Sequence, residues 1–381
     1  MEGLKALREW LNAQAGWLFL VGLFIATLWN WWKWRQDRAL AFKLRDRNPE
    51  PVQLQATPKV SVLVAAWNEA DIIREHIEAF LRLRYPNKEL VLCAGGEDGT
   101  CKIAREYSGE AVIVLEQQPG EGKQRALRRC LERARGEIVF LTDADCLLND
   151  EAFERILAPV VNEGESVATG ASRPLSGQRR HPLVLHCWFT DAYGRARWGP
   201  YTDGILGRNA ALRRDVLDAV SGFEADVRTG TDYYLAKQVL RYGHSIRHVP
   251  DSAVETAYPE TLGEYQRQQS RWLRNVVMHG LQFGAYGEAV RCAVPSVLGA
   301  LMLVGPVFGL LLGRAVLVVS LLAWLHVFLS RLRYIRFGEQ VTGYPFPRSG
   351  YLRLPGYMLA DFIIWTWTLL QYPFKSWRSQ W

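Results

Sequence analysis

The stretch GEIVFLTDADC (residues 136–146) contains an apolar run, Ile138 to Leu141, that is followed by Asp143 and Asp145. A continuous apolar run bounded by glycine and carboxylates is typical of a strand that is buried on both faces of a sheet. In open α/β sheets the ligand crevice lies beyond the carboxyl ends of such strands. The stretch therefore predicts an α/β fold with a binding site just after residue 141.

The two aspartates are the first candidate site residues. In an extended segment, residues i and i+2 point to the same side, so Asp143 and Asp145 are expected to face one site about 7 Å apart. Two carboxylates at that spacing can bind Mg²⁺ or Mn²⁺ together with a phosphate group. The alternative left open is that they cap the next helix.

Apolar runs alternate with helix-like stretches before this point. Strands are predicted at residues 60–65, 89–94, 111–115 and 138–141, and helices at 71–83, 100–107 and 124–134. Weaker strands and helices continue to about residue 250. This alternation predicts a parallel, doubly wound sheet.

The composition indicates a membrane protein. The 381 residues include 46 Lys and Arg against 39 Asp and Glu, a net charge of +7. Such a surplus suits nucleic acid or an anionic membrane. The 15 Trp residues and the long apolar runs favour the membrane, so we expect no nucleic-acid partner. The six cysteines form no C-x-x-C pair, which predicts reduced thiols in a cytosolic compartment.

Residues 17–32 are predicted to span a membrane and to end in an aromatic belt of tryptophans. A cleaved signal peptide is the rival interpretation, but no small-residue cleavage site follows. Six basic residues come directly after the apolar run: Lys33, Arg35, Arg38, Lys43, Arg45 and Arg47. By the positive-inside rule the N-terminus is outside and the following residues are cytoplasmic.

The C-terminal region contains further apolar segments. Residues 293–330 exceed the length of one span and are predicted to form two, with a turn at Gly313-Arg314. Basic residues follow this tract as well: Arg331, Arg333, Arg336, Arg348 and Arg353. Residues 356–374 contain Asp361, and they either span the membrane, lie in its interface or re-enter it.

Two polar turns complete the candidate site. Asn68-Glu69 follows the first strand, where a turn is needed in any case. Gly120-Glu121-Gly122-Lys123 opens a helix, whose N-terminus can bind an anion with help from Lys123. A flexible hinge with a solvated lysine is the alternative.

Together these pieces resemble the family 2 glycosyltransferases, which have the GT-A fold, a doubly wound mixed α/β sheet, here flanked by transmembrane helices. The resemblance covers residues 59 to about 275. It is carried, in the family's order, by Asn68-Glu69, Asp98-Gly99-Thr100, Gly122-Lys123, Asp143-Ala144-Asp145, Gly230-Thr231-Asp232 and the Q-x-x-R-W signature of Gln268, Arg271 and Trp272.

The resemblance implies a role for each matching residue. Asn68, Glu69, Asp98 and Lys123 would belong to the donor site. Asp143 would contact the nucleotide, and Asp145 would ligate Mg²⁺ or Mn²⁺ on the diphosphate. Asp232 would be the general base. Gln268, Arg271 and Trp272 would hold the departing diphosphate and wall the acceptor site. The alternatives left open are that Asp232 is the N-cap of a helix starting at Tyr233 and that Trp272 is an interfacial anchor.

The sequence departs from the family pattern at two places. After the second strand the usual acids are missing, so that either Asp98 or Glu97 supplies the contact. The residue before the presumed base is Thr231, where family members often have Glu.

The resemblance also implies a domain plan. It comprises an N-terminal anchor with a basic segment (1–48), a cytoplasmic catalytic domain (49–265), an interfacial helix with the signature (266–292) and a C-terminal membrane region (293–381). Within 266–292, Leu273, Val276, Val277 and Leu281 recur at helical spacing near Arg267, Arg271 and Arg274, a pattern typical of a basic amphipathic surface helix.

The expected function is inverting transfer of a hexose from a nucleotide sugar, UDP-linked, to a membrane lipid, in the inner membrane of a bacterium. The predicted spans are few for a polysaccharide channel, which favours glycolipid synthesis over a processive polysaccharide synthase. A non-catalytic membrane module and a nucleotidyltransferase are the alternatives from other classes. The presence of Asp143, Asp145, Asp232 and Arg271 argues against a non-catalytic module. The Q-x-x-R-W stretch does not support a nucleotidyltransferase.

Overall fold

The structure, a computed structural model, describes residues 2–45 and 51–372. Arg47, the first two residues of the predicted linker at 49–58, and Lys375 and Arg378 of the tail lie outside the described residues. The described chain divides into two compact units. We call residues 51–178 and 195–258 the sheet unit, and residues 2–45, 179–194 and 259–372 the helical unit.

The sheet unit contains a single mixed sheet. Its strands are β1 (Val60–Trp67), β2 (Lys88–Gly95), β3 (Val112–Glu116), β4 (Ile138–Leu141), β5 (Cys146–Leu147), β6 (Val167–Pro174), β7 (Ala210–Arg213) and β8 (Ile246–Thr256). Their spatial order is β3-β2-β1-β4-β7-β6-β8-β5.

One half of this sheet is parallel and was predicted from the sequence. Strands β3, β2, β1 and β4 all run in the same direction. All four residues of β4 are buried, as the continuous apolar run predicted. Because the strands are parallel, the loops that follow β1, β2 and β4 lie at the same edge of the sheet.

In the other half of the sheet, β7 runs in the direction opposite to both of its neighbours. Strand β7 pairs antiparallel with both β4 and β6, and Leu141 at the end of β4 is opposite Ala210 at the start of β7. The residues just before β7 therefore lie beside the residues just after β4. This register determines which residues lie beside the two aspartates that follow β4.

Helices cover both faces of the sheet. They are α3 (Ile73–Arg82), α4 (Thr100–Arg105), α5 (Gly122–Arg133), α6 (Asp150–Asn162), α8 (Arg214–Ala219) and α9 (Thr231–Arg241). Successive residues of β1 point to opposite faces, so Val62 packs in a core with α3 and α6, and Leu63 in a second core with α5 and α9. Two apolar cores hold the sheet rigidly between its helices.

The helical unit contains the predicted membrane segments. Its helices are α1 (Glu2–Ala13), α2 (Ala15–Arg45), α7 (Pro182–Arg195, whose last residue belongs to the sheet unit), α10 (Leu262–Gln282), α11 (Tyr286–Leu312), α12 (Arg314–Thr342) and α13 (Arg348–Leu370). Among the described residues, α2, α11 and α12 are long and apolar enough to cross a membrane. The break between α11 and α12 at Gly313 confirms the predicted turn.

Candidate active site

The two aspartates lie in a tight turn after β4. The backbone N–H of Cys146 donates to the carbonyl of Asp143 at 3.1 Å, so the extended geometry predicted for Asp143 and Asp145 is wrong. His76 Nδ1 on α3 is hydrogen-bonded to the Cys146 carbonyl at 2.6 Å, and this bond ties the end of the turn to α3. The helix-capping alternative is also wrong, because the N-cap of α6 is Asn149, whose side chain accepts from the N–H of Ala152.

Negative charge is concentrated around the turn of residues 143–146, which we call the acidic turn. Burial raises the pKa of Asp145, and the charge of Asp143 raises it further. The pKa of Glu69, after β1, is raised to about 7 by burial and then by Asp145, Asp143, Asp98 and Asp71. The turns after β1 and β4 therefore bring carboxylates close enough to oppose each other's ionisation. A cationic ligand would relieve this repulsion.

Hydrogen bonds join the loops that follow β1 and β2. The Asn68 side chain accepts from the N–H of Glu97 at 2.9 Å, and Asp98 accepts from the N–H of Ala70 at 2.9 Å. Thr100 Oγ1 accepts from the N–H of Glu69 at 2.7 Å and donates to Asp98 at 2.6 Å. Asp98 thus fixes the backbone beside Glu69, while Glu97 and Asp98 are both exposed.

Lys123 forms an ion pair with Asp143. Helix α5 begins at Gly122, so the lysine lies in its first turn, as the sequence predicted. The lysine side chain is still 39% exposed, so its ammonium group is paired with the acidic turn and also borders solvent. The pair places a positive charge directly beside a carboxylate that the family resemblance predicts to contact the nucleotide.

Arg208 is a candidate site residue that no sequence pattern predicted. It lies two residues before β7, and the pairing of Leu141 with Ala210 brings it beside the turn after β4. Burial opposes its charge, but Asp145 and then Asp143 raise the pKa of the guanidinium above its ordinary value. The positive charge of Arg208 in turn offsets part of the rise in the pKa of Asp145 that burial and Asp143 cause. Asn209 anchors this segment by donating to the carbonyls of Ala171 and Ser252, each at 3.0 Å.

Asp232 is held against the same segment. Helix α9 begins at Thr231 with Gly230 as its N-cap, so the interpretation of Asp232 as the N-cap of a helix starting at Tyr233 is wrong. A Cβ atom placed on Gly207 would meet Asp232 Cβ at 2.9 Å. Gly207 packs on Asp232, and the adjacent Arg208 is near the acidic turn. Two consecutive residues therefore link the predicted base to the predicted metal ligands.

The Q-x-x-R-W signature lies on α10 of the helical unit. Gln268 and Trp272 are half-buried and Arg271 is exposed. Helix α10 ends at Gln282 and α11 begins at Tyr286, so the predicted continuous helix over 266–292 is two helices. Arg274, which the pattern placed on a basic surface, is buried.

The acidic turn suits a metal ion only in part. No three His, Cys, Asp or Glu side chains in the described ranges are placed to hold a metal by themselves. Asp143 and Asp145 offer hard oxygen ligands, and their charges add to the effect of burial in raising the pKa of Glu69. Mg²⁺ usually completes its coordination with water and substrate phosphate. The residues fit a divalent ion that binds together with a diphosphate.

Comparison with known sequences identifies the family. Residues 58–275 match the family model described as glycosyltransferase like family 2. The chain is 27% identical over 237 residues to the probable glycosyltransferase YdaM of Bacillus subtilis, with 58% of this chain and 56% of that protein covered. It is 24% identical over 225 residues to the poly-beta-1,6-N-acetyl-D-glucosamine synthase of Staphylococcus epidermidis, with 57% and 54% covered. The matches thus span about half the length of these relatives.

A solved structure shares the architecture. The mannosyltransferase PcManGT of Pyrobaculum calidifontis, solved with GDP-Man and Mn²⁺, superposes with a TM-score of 0.53 and 21% identity. The superposition covers 94% of this chain and 99% of that one. This likeness confirms the predicted GT-A fold.

Proposed function

Because this chain belongs to the glycosyltransferase like family 2, we propose that it is an inverting hexosyltransferase that moves a sugar from a nucleotide sugar to a lipid hydroxyl at the cytoplasmic face of a membrane. The observation that carries the proposal is the Gly207-Arg208 segment. It packs on Asp232 through Gly207, and Arg208 lies beside the acidic turn. The segment therefore connects the proposed proton acceptor, Asp232, to the charged groups that suit a diphosphate.

The donor would bind at the carboxyl ends of β1, β2 and β4. Asp143 would contact the nucleotide and Asp145 would ligate the metal ion, while Asn68 and Asp98 hold the loops that position Glu69. When bound, Mg²⁺ or Mn²⁺ supplies charge neutralisation at the diphosphate. Lys123 and Arg208 add fixed positive charge nearby, which favours the leaving group as its charge grows.

The acceptor hydroxyl would attack the anomeric carbon from the side opposite the diphosphate. Asp232 takes the hydroxyl proton as the new C–O bond forms and the sugar–phosphate bond breaks. The electron pair of the broken bond leaves with the nucleoside diphosphate, and the anomeric configuration inverts. The family resemblance assigns Arg271 to the departing diphosphate, and Gln268 and Trp272 to the acceptor side.

A lipid acceptor is favoured by the membrane segments. Three helices among the described residues are candidate spans, which is few for a channel that exports a polymer. Processive polysaccharide synthesis is the second candidate, because the relative in Staphylococcus epidermidis is named a polysaccharide synthase. The base of the donor nucleotide is proposed to be uracil. The first alternative donor to assay is GDP-mannose, because the similar mannosyltransferase was solved with it.

We expect purified enzyme to attach one labelled sugar to a lipid that partitions into organic solvent. The assay supplies UDP-sugars and GDP-mannose separately, with detergent-solubilised lipid extract and Mg²⁺ or Mn²⁺. Chromatography of the organic and aqueous phases distinguishes the candidates. A water-soluble product that lengthens with time would replace the lipid proposal by the polymer proposal. No transfer from any donor would favour a non-catalytic role.

We expect the N-terminus to lie outside and the sheet unit to be cytoplasmic. The basis is the cluster of basic residues after the first apolar run, where Lys33 stacks on Trp29 and Trp32 at 5.2 and 4.7 Å from the ring centroids. Gly3→Cys and Gln118→Cys are each tested in a chain that lacks the native cysteines. An impermeant maleimide should label Gly3→Cys in intact spheroplasts and Gln118→Cys only after lysis. The reverse labelling would contradict the proposed orientation.

A further inference from the structure

Asp361 joins three helices of the helical unit. It lies in α13 and is 1% exposed. One carboxylate oxygen accepts from the hydroxyl of Tyr265 on α10 at 2.6 Å, and the other accepts from Arg331 Nη2 on α12 at 2.7 Å. A buried carboxylate is tolerated only when its charge is paired and its oxygens are bonded. The charge that interrupts the last apolar segment is therefore part of a polar junction between helices.

A second contact joins α10 to α13. The hydroxyls of Ser270 and Thr368 are 2.7 Å apart. Thr368 donates to the carbonyl of Ile364 at 2.6 Å, so the Ser270 hydroxyl is the donor to Thr368. Helix α10 is thus bonded to α13 at two positions that are more than one turn apart.

These two contacts fix the rotation of α10 about its own axis. With about 100° between successive residues, Arg271 lies about 170° from the midpoint of Tyr265 and Ser270. Arg271 is accordingly exposed, on the side of α10 that faces away from both hydrogen bonds. Loss of either bond would let the helix turn and would redirect the guanidinium.

We propose that Asp361, acting through Tyr265, is a positioning residue that sets the direction in which α10 presents Arg271. The inference rests on the proposed function, in which Arg271 stabilises the departing diphosphate. Displacement of a transition-state contact by about 1 Å can lower a rate by as much as about 100-fold. The Asp361–Tyr265 bond therefore affects turnover without touching the substrate.

The test is Tyr265→Phe, which removes one hydroxyl and leaves the ion pair of Asp361 with Arg331 intact. We expect kcat to fall about tenfold with an unchanged KM for the nucleotide sugar, because the lost alignment matters in the transition state. The matched control is Tyr351→Phe, which removes a similar bond to Glu339 (3.1 Å) elsewhere in the helical unit. The control is expected to keep wild-type kcat.

A double-mutant cycle connects the effect to Arg271. Arg271→Ala removes the group that Tyr265 is proposed to direct. If the two act as one device, adding Tyr265→Phe to Arg271→Ala lowers kcat no further. A further tenfold loss in the double variant would show that Tyr265 acts elsewhere and would overturn the inference.

Cross-linking tests the helix setting without any activity assay. Ser270→Cys and Thr368→Cys place two thiols at the second contact, and the linked peptide is quantified by mass spectrometry after mild oxidation. We expect a high yield in the parent and in Tyr351→Phe, and a several-fold lower yield with Tyr265→Phe. An unchanged yield together with wild-type kcat would refute the positioning role. If the parent transfers no sugar, the proposed function fails, and the cross-link yield alone then supports or refutes the effect of Tyr265 on α10.

Discussion

Asp145→Asn is expected to lower sugar transfer by at least about 100-fold, a loss in the range seen when a single transition-state charge contact is removed. The substitution keeps the shape of the side chain but removes the negative charge that a divalent ion requires. The growing charge on the diphosphate is then poorly neutralised. The measurement is the initial rate of labelled-sugar transfer over a titration of Mg²⁺ and Mn²⁺, where the variant should need far more metal and still not recover.

The control for this experiment is Asp218→Asn in α8. Asp218 is exposed and lies 3.9 Å from Arg214 on the surface of the sheet unit, so the same chemical change should leave the rate unaltered. Excess chelator should abolish transfer by the parent enzyme. Full activity in chelator would show that the fixed cations Lys123 and Arg208 suffice and would refute the proposed metal dependence.

Strands β1, β2 and β4 of the parallel half could be predicted because they are buried on both faces. Such strands contain uninterrupted apolar runs, and β1, β2 and β4 each have one. The second half could not be predicted in the same way. Strand β8 alternates between buried and partly exposed residues, and β5 has only two residues. Their order depends on pairings between segments far apart in sequence, which local patterns do not encode.

The same limit explains which site residues were found. Asn68, Glu69 and the two aspartates follow apolar strands directly, so their position was predictable from the strands. Arg208 was missed because it approaches Asp143 and Asp145 only through the antiparallel register of β4 and β7. Gly207 was missed because it packs on Asp232, which is distant in sequence. The signal in the sequence was the short G-R-N segment before an apolar run, which has no distinctive pattern of its own.

Local sequence patterns also did not predict which charges near the membrane helices are paired with each other. Arg331 and Arg333 count as two positive charges in the positive-inside rule. In the structure Arg331 pairs with Asp361, and Arg333 pairs with Asp37 at 3.1 Å. Both arginine side chains are 10% exposed. The predicted orientation of the protein in the membrane therefore depends mainly on the basic residues that follow the first apolar run.

Asp232→Asn is expected to lower kcat by about 10²–10⁴-fold while the nucleotide sugar binds as before, because an amide cannot take the acceptor's proton. The side chain should keep its place. Asparagine has the same shape against Gly207, and its oxygen can accept from the N–H of Tyr233, as Asp232 Oδ1 does at 2.9 Å. Single-turnover rates and donor affinity, measured with Asp218→Asn as the control, separate chemistry from binding.

The opposite pattern would move Asp232 into the donor site. If Asp232→Asn weakens donor binding and turnover at saturating donor is near normal, another carboxylate must take the proton. Asp226 and Glu224 precede α9 in the same loop and are the next candidates. Asp226 is bonded to Arg125 at 3.1 Å and both side chains are exposed, so it would have to leave that pair to act. Asp232 needs no such rearrangement, because Gly207 holds it beside the segment that carries Arg208 to the acidic turn.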